Sequence, residues 1–188
     1  MAATAALASL RVDEKTALDG YERGCGEGEA CVFGPAWADV DRNGCDQRND
    51  VLHRDLADIE VREGTHDCVV VAGVLDDPYT GATVTFVKAD AAEVPIDHVV
   101  PLAAAWVQGA DAWTTDERTA FANDLGNLMA TTREQNSAKG DSTADEWLPA
   151  DPTYGCSYAT VVITVKDRYD LSVSPAEADA LESLLATC

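Results

Sequence analysis

Residues 96–101 read Ile96-Asp97-His98-Val99-Val100-Pro101, and downstream stand Gly126-Asn127-Leu128-Met129-Ala130, then Asn136, then Lys139-Gly140-Asp141. Nothing else in the chain is as specific. A carboxylate and an imidazole are adjacent, one amide follows at Asn127 and another at Asn136. The set therefore offers a hard oxygen ligand, a base, an orienting group and a second oxygen ligand. An Asp-His pair alone is a weak signal, because most such pairs are satisfied surface neighbours. Pro101, the two asparagines and the Lys-Gly-Asp run turn the reading toward a site.

Composition limits what surrounds that set. The chain has 188 residues, 46% hydrophobic and 6% aromatic, which suits one domain with a proper core and is cramped for two. Its 34 acidic residues against 13 basic ones give a net charge of −21. That excludes a broad basic footprint, so any polyanion must be met locally. Cys25, Cys31, Cys45, Cys68, Cys156 and Cys188 form an even set without zinc spacing, so disulfides and export are expected, with many connectivities open. No apolar run approaches the roughly 20 residues that cross a bilayer. The stretch Met1 to Leu10 lacks a cationic start and is too short for a signal peptide. It reads as the start of a mature chain with an added initiator Met, its export signal removed upstream.

Leu7, Leu10 and Leu18, at roughly helical spacing among alanines, predict a helix in the first 20 residues. Gly20 and the Gly24–Cys31 stretch break it, and Cys25 and Cys31 can close a local loop. From Gln47 to Val61, Leu52, Leu56 and Ile59 share one face and predict a second helix, ended by Gly64. The runs Cys68–Leu75 and Ala82–Lys88 flank the turn-rich Asp76–Gly81 and read as a hairpin. Short helices are expected over 103–108 and 115–121, the latter with Thr115 as cap. Ser174-Pro175-Ala176-Glu177 is a capping box that introduces a helix over 176–186. The run Tyr158–Val165 stays open, since its β-branched residues favour a strand while Tyr158, Val162, Val165 and Tyr169 fit a helical face. Gly126–Ala130 is too short to assign.

Phosphodiester cleavage needs a nucleophilic water, neutralisation of phosphate charge and stabilisation of the departing oxygen. Asp97 and the amide oxygen of Asn136 suit a magnesium-type ion. His98, with an ordinary pKa of roughly 6.5, suits proton abstraction from water. Asn127 can pin the backbone around it.

Asp97-His98-Val99-Val100-Pro101, Trp106–Ala110, Phe121–Asp124, Asn127–Ala130 and Asn136–Asp141 together resemble the DHxxP-type HNH endonucleases secreted by actinobacteria. These belong to the His-Me finger, or ββα-metal, nucleases. The likeness extends to Arg48–Leu52, Cys68, Trp147–Pro149, Cys156–Tyr158, Val165-Lys166 and Cys188. It covers residues 36–188 and leaves 1–35 as an N-terminal helical and Cys-loop extension without an identified counterpart. The resemblance implies an α+β fold: a mostly helical single domain around a small antiparallel hairpin and a ββα-metal core, stapled by disulfides. Asp97-His98 ends the first strand of that core, Asn127 sits near the second, and Asn136 lies on the helix after it. A helix over Cys156–Asp167 is implied too, with bridges Cys156–Cys188 and Cys45–Cys68, leaving Cys25–Cys31. Many relatives carry arginine where Ser137 stands, so a phosphate contact there is absent or passes to Arg133.

The activity implied is that of a secreted, metal-dependent endonuclease cutting DNA, and in second place RNA, with low sequence specificity. His98 and Asn127 are the catalytic pair, and Asp97 and Asn136 ligate one divalent ion, magnesium ahead of manganese or calcium. Arg48 and Lys139 are expected to contact substrate phosphates. The expected form is a monomer that meets DNA through its phosphates and has no membrane partner. Arg42, Arg54, Arg118 and Arg133 are read as partners of neighbouring acids. Trp106, Trp113 and Trp147 are read as core, and Tyr79 as an exposed hairpin tip able to stack a base. Asp76-Asp77 and Asp39 to Asp46 look like loose calcium-type acid clusters, neither matching the twelve-residue EF-hand loop. Two alternatives stand beside the nuclease: a non-catalytic, acidic, disulfide-rich extracellular binding protein, and a metal-dependent phosphoesterase for small substrates.

Overall fold

A computed structural model describes residues 2–188. The alanine-rich start forms α1 (Ala2–Ser9), which packs across α6 (Gly155–Arg168) and α7 (Pro175–Leu185). The helix predicted for the first 20 residues stops at Ser9. From there the chain runs extended: Val12 bridges Val173, and the Thr16 N–H donates to the Val107 carbonyl at 3.0 Å.

Asp46 caps α2 (Gln47–Asp55), accepting the Asn49 N–H at 2.8 Å. The helix expected to reach Val61 ends at Asp55, and the remainder is β1 (Leu56–Val61). β1 pairs antiparallel with β2 (Val70–Asp76), which pairs with β3 (Thr83–Val87). Pairing satisfies the backbone groups of β1, and Ile59 and Val61 suit a pleated surface better than a helix. Leu52 and Leu56, read as one helical face, still meet in the core. Gly64, at φ +79°, serves the β1–β2 turn rather than a helix end.

A separate two-stranded ribbon joins β4 (Ile96–His98) to β5 (Leu128–Ala130), with Ile96 opposite Ala130 and His98 opposite Leu128. Between them run α3 (Leu102–Val107) and α4 (Thr115–Ala122), and α5 (Arg133–Lys139) comes after β5. The cap of α4 is Thr114, not Thr115: its hydroxyl accepts the Glu117 N–H, and the Glu117 carboxylate accepts the Thr114 N–H at 2.8 Å. Ser174 caps α7 as predicted, but Glu177 turns inward to Lys166 instead of back to the cap.

Two apolar cores flank the β4–β5 ribbon. One gathers Phe33, Tyr79, Val99, Val100, Trp106, Phe121, Val162, Ile163 and Leu181, while the other gathers Val51, Leu52, Leu75, Phe86, Ile96 and Leu128. The helix α6 forms because Tyr158, Val162 and Val165 all turn into the first core, a burial that outweighs strand propensity. Trp106 is buried there, with Trp113 and Trp147 packed against it. Residues 2–35 are not a loose appendage, since Phe33 is 2% exposed and Leu7, Leu10, Tyr21 and Val32 pack on the same core. Three disulfides, Cys25–Cys31, Cys45–Cys68 and Cys156–Cys188, complete a single α+β domain.

Candidate active site

The ribbon brings Asp97 and His98 to one end of β4, and Asn127 locks the backbone just beyond them. The wholly buried Asn127 side chain accepts the Val100 N–H at 2.7 Å and donates to the Val100 carbonyl at 3.1 Å. Its own carbonyl accepts the Val99 N–H at 2.8 Å. These bonds pin the turn from His98 to Pro101 and leave the imidazole to another partner.

That partner is the Ala122 carbonyl, 2.8 Å from Nε2. A carbonyl only accepts, so in the neutral ring Nε2 carries the hydrogen and Nδ1 keeps its lone pair. Burial pushes the His98 pKa down to about 4; the Ala122 hydrogen bond opposes this, and the charges of Arg23 and Lys139 add to it. The Trp37 ring lies nearly parallel to the imidazole, at 11° and 6.3 Å between centroids.

Asp97 is also buried. Its Oδ2 accepts the Tyr79 hydroxyl at 2.7 Å and the Lys139 ammonium at 2.9 Å, and Oδ1 accepts Lys139 at 3.0 Å. Lys139, its side chain fully enclosed, also donates to the His98 carbonyl at 2.8 Å. Burial raises the Asp97 pKa against the pull of Lys139, and lowers that of Lys139 against the pull of Asp97. Tyr79, which the sequence places at an exposed tip, is entirely buried, because its hydroxyl serves Asp97 and its ring packs edge-on against Trp147 at 4.9 Å. It is held there by the buried Asp77. That carboxylate accepts the Tyr79 N–H and the hydroxyls of Thr80, Thr131 and Thr132, tying the hairpin tip to the β5–α5 junction.

Asp97, His98 and Asn136 face one cavity of about 250 Å³, with Arg23 and Asp141 on its remaining polar wall. Lys139 lies beneath Asp97 rather than on that wall. Arg48 does not line it either: its guanidinium donates to the carbonyls of Ala91 and Val94, at 3.1 and 2.9 Å, and fastens α2 to the segment before β4. Both cations expected at substrate phosphates are thus engaged inside the protein. Arg133 pairs with Glu93, Arg54 with Asp55, and Arg118 donates to backbone carbonyls, not to an acid.

Arg23 is the polar residue the sequence did not flag. It sits in the N-terminal extension beside the Cys25–Cys31 loop, exposed, with no ion-pair partner among the described residues. A second, mostly apolar cavity of about 190 Å³ adjoins it, lined by Phe33, Pro35, Trp37 and the other side of His98. No periodicity marks Arg23 or Trp37; only the packing of the extension brings them to the site.

A profile of GmrSD restriction endonuclease C-terminal domains matches residues 46–183. The chain belongs to this family. A protein of Arthroderma benhamiae, described as an uncharacterized secreted protein, is 42% identical over 184 residues, 97% of this chain and 82% of its own length. That alignment reaches into the N-terminal extension, so most of residues 1–35 do have a counterpart. No solved structure matches. As a GmrSD_C member the chain is a nuclease-related domain, and apart from Arg23 the residues lining the cavity beside His98 fall within the span of the family profile.

Proposed function

We propose that this GmrSD_C protein is a secreted, metal-dependent endonuclease that hydrolyses DNA, and RNA as a second substrate, with little sequence preference. One observation carries the reading: a buried, neutral imidazole with its Nδ1 lone pair kept free opens onto a cavity whose wall also carries Asp97 and Asn136. In this reading β4, β5 and α5 are the His-Me finger.

His98 Nδ1 takes a proton from the attacking water, and the Ala122 carbonyl holds the ring through Nε2–H and steadies the cation that forms. Asn127 keeps the two strands in register around that histidine. Asp97 and Asn136 are the residues that would hold a divalent ion, with Asp141 close by. The donors are hard oxygens and do not form a closed cage of acids and imidazoles among the described residues, which fits a magnesium-type ion that keeps several waters. Among the described residues Asp97 Oδ1 accepts only Lys139, and so it retains lone-pair capacity for a ligand role. When bound, such an ion supplies charge neutralisation at the phosphate and stabilisation of the departing oxygen. Arg23 takes the phosphate contact for which Arg48 and Lys139 are spent. Recognition through phosphates accounts for low sequence preference. Export is supported by three disulfides and by the description of the A. benhamiae relative.

The test is plasmid, single-stranded DNA and RNA incubated with wild type and with His98→Ala, with magnesium and with chelator. Cleavage that needs both the metal and His98 is expected. A His98→Ala protein as active as wild type, or no cleavage of any of the three substrates, overturns the reading.

A further inference from the structure

We propose that Asp39–Asp50 is a calcium-binding loop, separate from the cavity at His98. Read only as far as Asp46, the segment is an unassigned acid cluster. Carried to Asp50, it places Asp39, Asp41, Asn43, Gly44 and Asp50 at positions 1, 3, 5, 6 and 12 of an EF-hand-type loop. Position 7, which gives a backbone carbonyl, is Cys45. Gly44 has the φ of +93° that the sharp turn at position 6 requires, and α2 departs from position 9, Gln47.

An independent observation points to a missing ligand. Among the described residues, two buried side-chain polar atoms lack any hydrogen-bond partner, Gln47 Oε1 and Asp50 Oδ2. Gln47 is 1% exposed. The two fall at positions 9 and 12, the positions from which the outgoing helix ligates in such a loop. A buried oxygen without a donor is costly unless a cation or water meets it.

The remaining oxygens are held in waiting. Asn43 Nδ2 donates to Asp41 Oδ2 at 3.2 Å and to Asp50 Oδ1 at 3.1 Å, so an amide NH₂ stands between two carboxylates. Among the described residues no three acids already converge on one point. A cation taking the place of that NH₂, with the amide turned to offer its oxygen, draws both carboxylates in. Aspartate at position 12 is shorter than the usual bidentate glutamate. The affinity expected is therefore that of extracellular modules, about 10⁻⁴ to 10⁻³ M.

Occupancy would brace α2. The loop is tied to the sheet by Cys45–Cys68, and α2 carries Arg48 to the segment before β4. The experiment is thermal unfolding of the full, chelator-stripped protein against added calcium, with terbium luminescence sensitised by Trp37 as a direct binding readout. At calcium tenfold above the Kd the midpoint should rise by about 3 to 5 °C. Asp50→Asn and the exposed Asp41→Asn should abolish the rise and cut the terbium signal to whatever the cavity at His98 contributes, since Trp37 stacks there as well. Asp97→Asn should keep both, which separates this site from the one at His98 and from the fate of the nuclease reading. No saturable shift up to about 10 mM calcium, or an undiminished shift in Asp41→Asn and Asp50→Asn, overturns the proposal.

Discussion

Burial at His98 strips solvent from the imidazolium more than the Ala122 carbonyl restores, and the consequence is a pH-dependent stability. The unfolded ring titrates near 6.5 and the folded one near 4. Below pH 6.5 the unfolded chain takes up a proton that the folded chain refuses, so the stability present above pH 6.5 is lost progressively as pH falls toward 4. The difference corresponds to about 3 kcal/mol. Urea unfolding of wild type and His98→Asn from pH 7 to 4 should show the larger loss in wild type; parallel curves would remove His98 as the cause. Beneath it, Lys139→Met should cost about 3 to 5 kcal/mol by leaving the Asp97 carboxylate buried and unpaired, while Tyr79→Phe costs about 1 to 3 kcal/mol. The double change Asp97→Asn with Lys139→Met should recover much of the loss in the same urea experiment. Asp97, His98 and Asn136 were legible as a set because their chemistry is written in residue type and spacing. Tyr79 was not, because its role depends on an Asp97 contact that the hairpin must fold to make, and a tyrosine in a turn reads as exposed.

Elements show where local signals compete. Thr114 and Thr115 are equivalent to a reader of the sequence, and only the backbone decides that Thr114 is extended, at ψ 160°, and forms the reciprocal pair with Glu117. Thr114→Ala should therefore cost about 1 kcal/mol and Thr115→Ala much less, measured as a difference in urea midpoints. A similar ambiguity explains the segment 47–61. Leu52, Leu56 and Ile59 keep a helical period across the point where the chain becomes a strand, because both structures bury the same leucines against β2. In α6 the ambiguity resolves the other way, with one-sided burial of Tyr158, Val162 and Val165 prevailing over β-branching. β4 and β5 are three residues each, too short for any period to be read, although the site is built on them.

At the scale of the whole molecule the nuclease reading requires the net charge of −21 to coexist with a polyanionic substrate. Most of the cations are already committed: Lys139 and Lys166 are buried against Asp97 and Glu177, Arg48 and Arg118 serve backbone carbonyls, and Arg11, Lys15, Arg54, Arg133 and Arg168 pair with acids. An acidic surface repels DNA over a range that shrinks to about 8 Å at 0.15 M salt, so cleavage should rise from the lowest salt before falling. A monotonic decline would show that repulsion does not govern approach. Among the described residues, what remains at the cavity is Arg23, delivered by an extension that lies outside the family profile yet packs into the core. In the nuclease reading Arg23→Ala removes one charge-assisted phosphate contact, and kcat/KM should fall by about 10- to 100-fold. Because that contact is made to bound substrate as well as to the transition state, the loss should appear mainly in KM, whereas His98→Ala should act on kcat. Arg23→Lys should recover part of the loss by restoring the charge without the fork, and an Arg23→Ala protein with unchanged KM would return the phosphate contact to another residue.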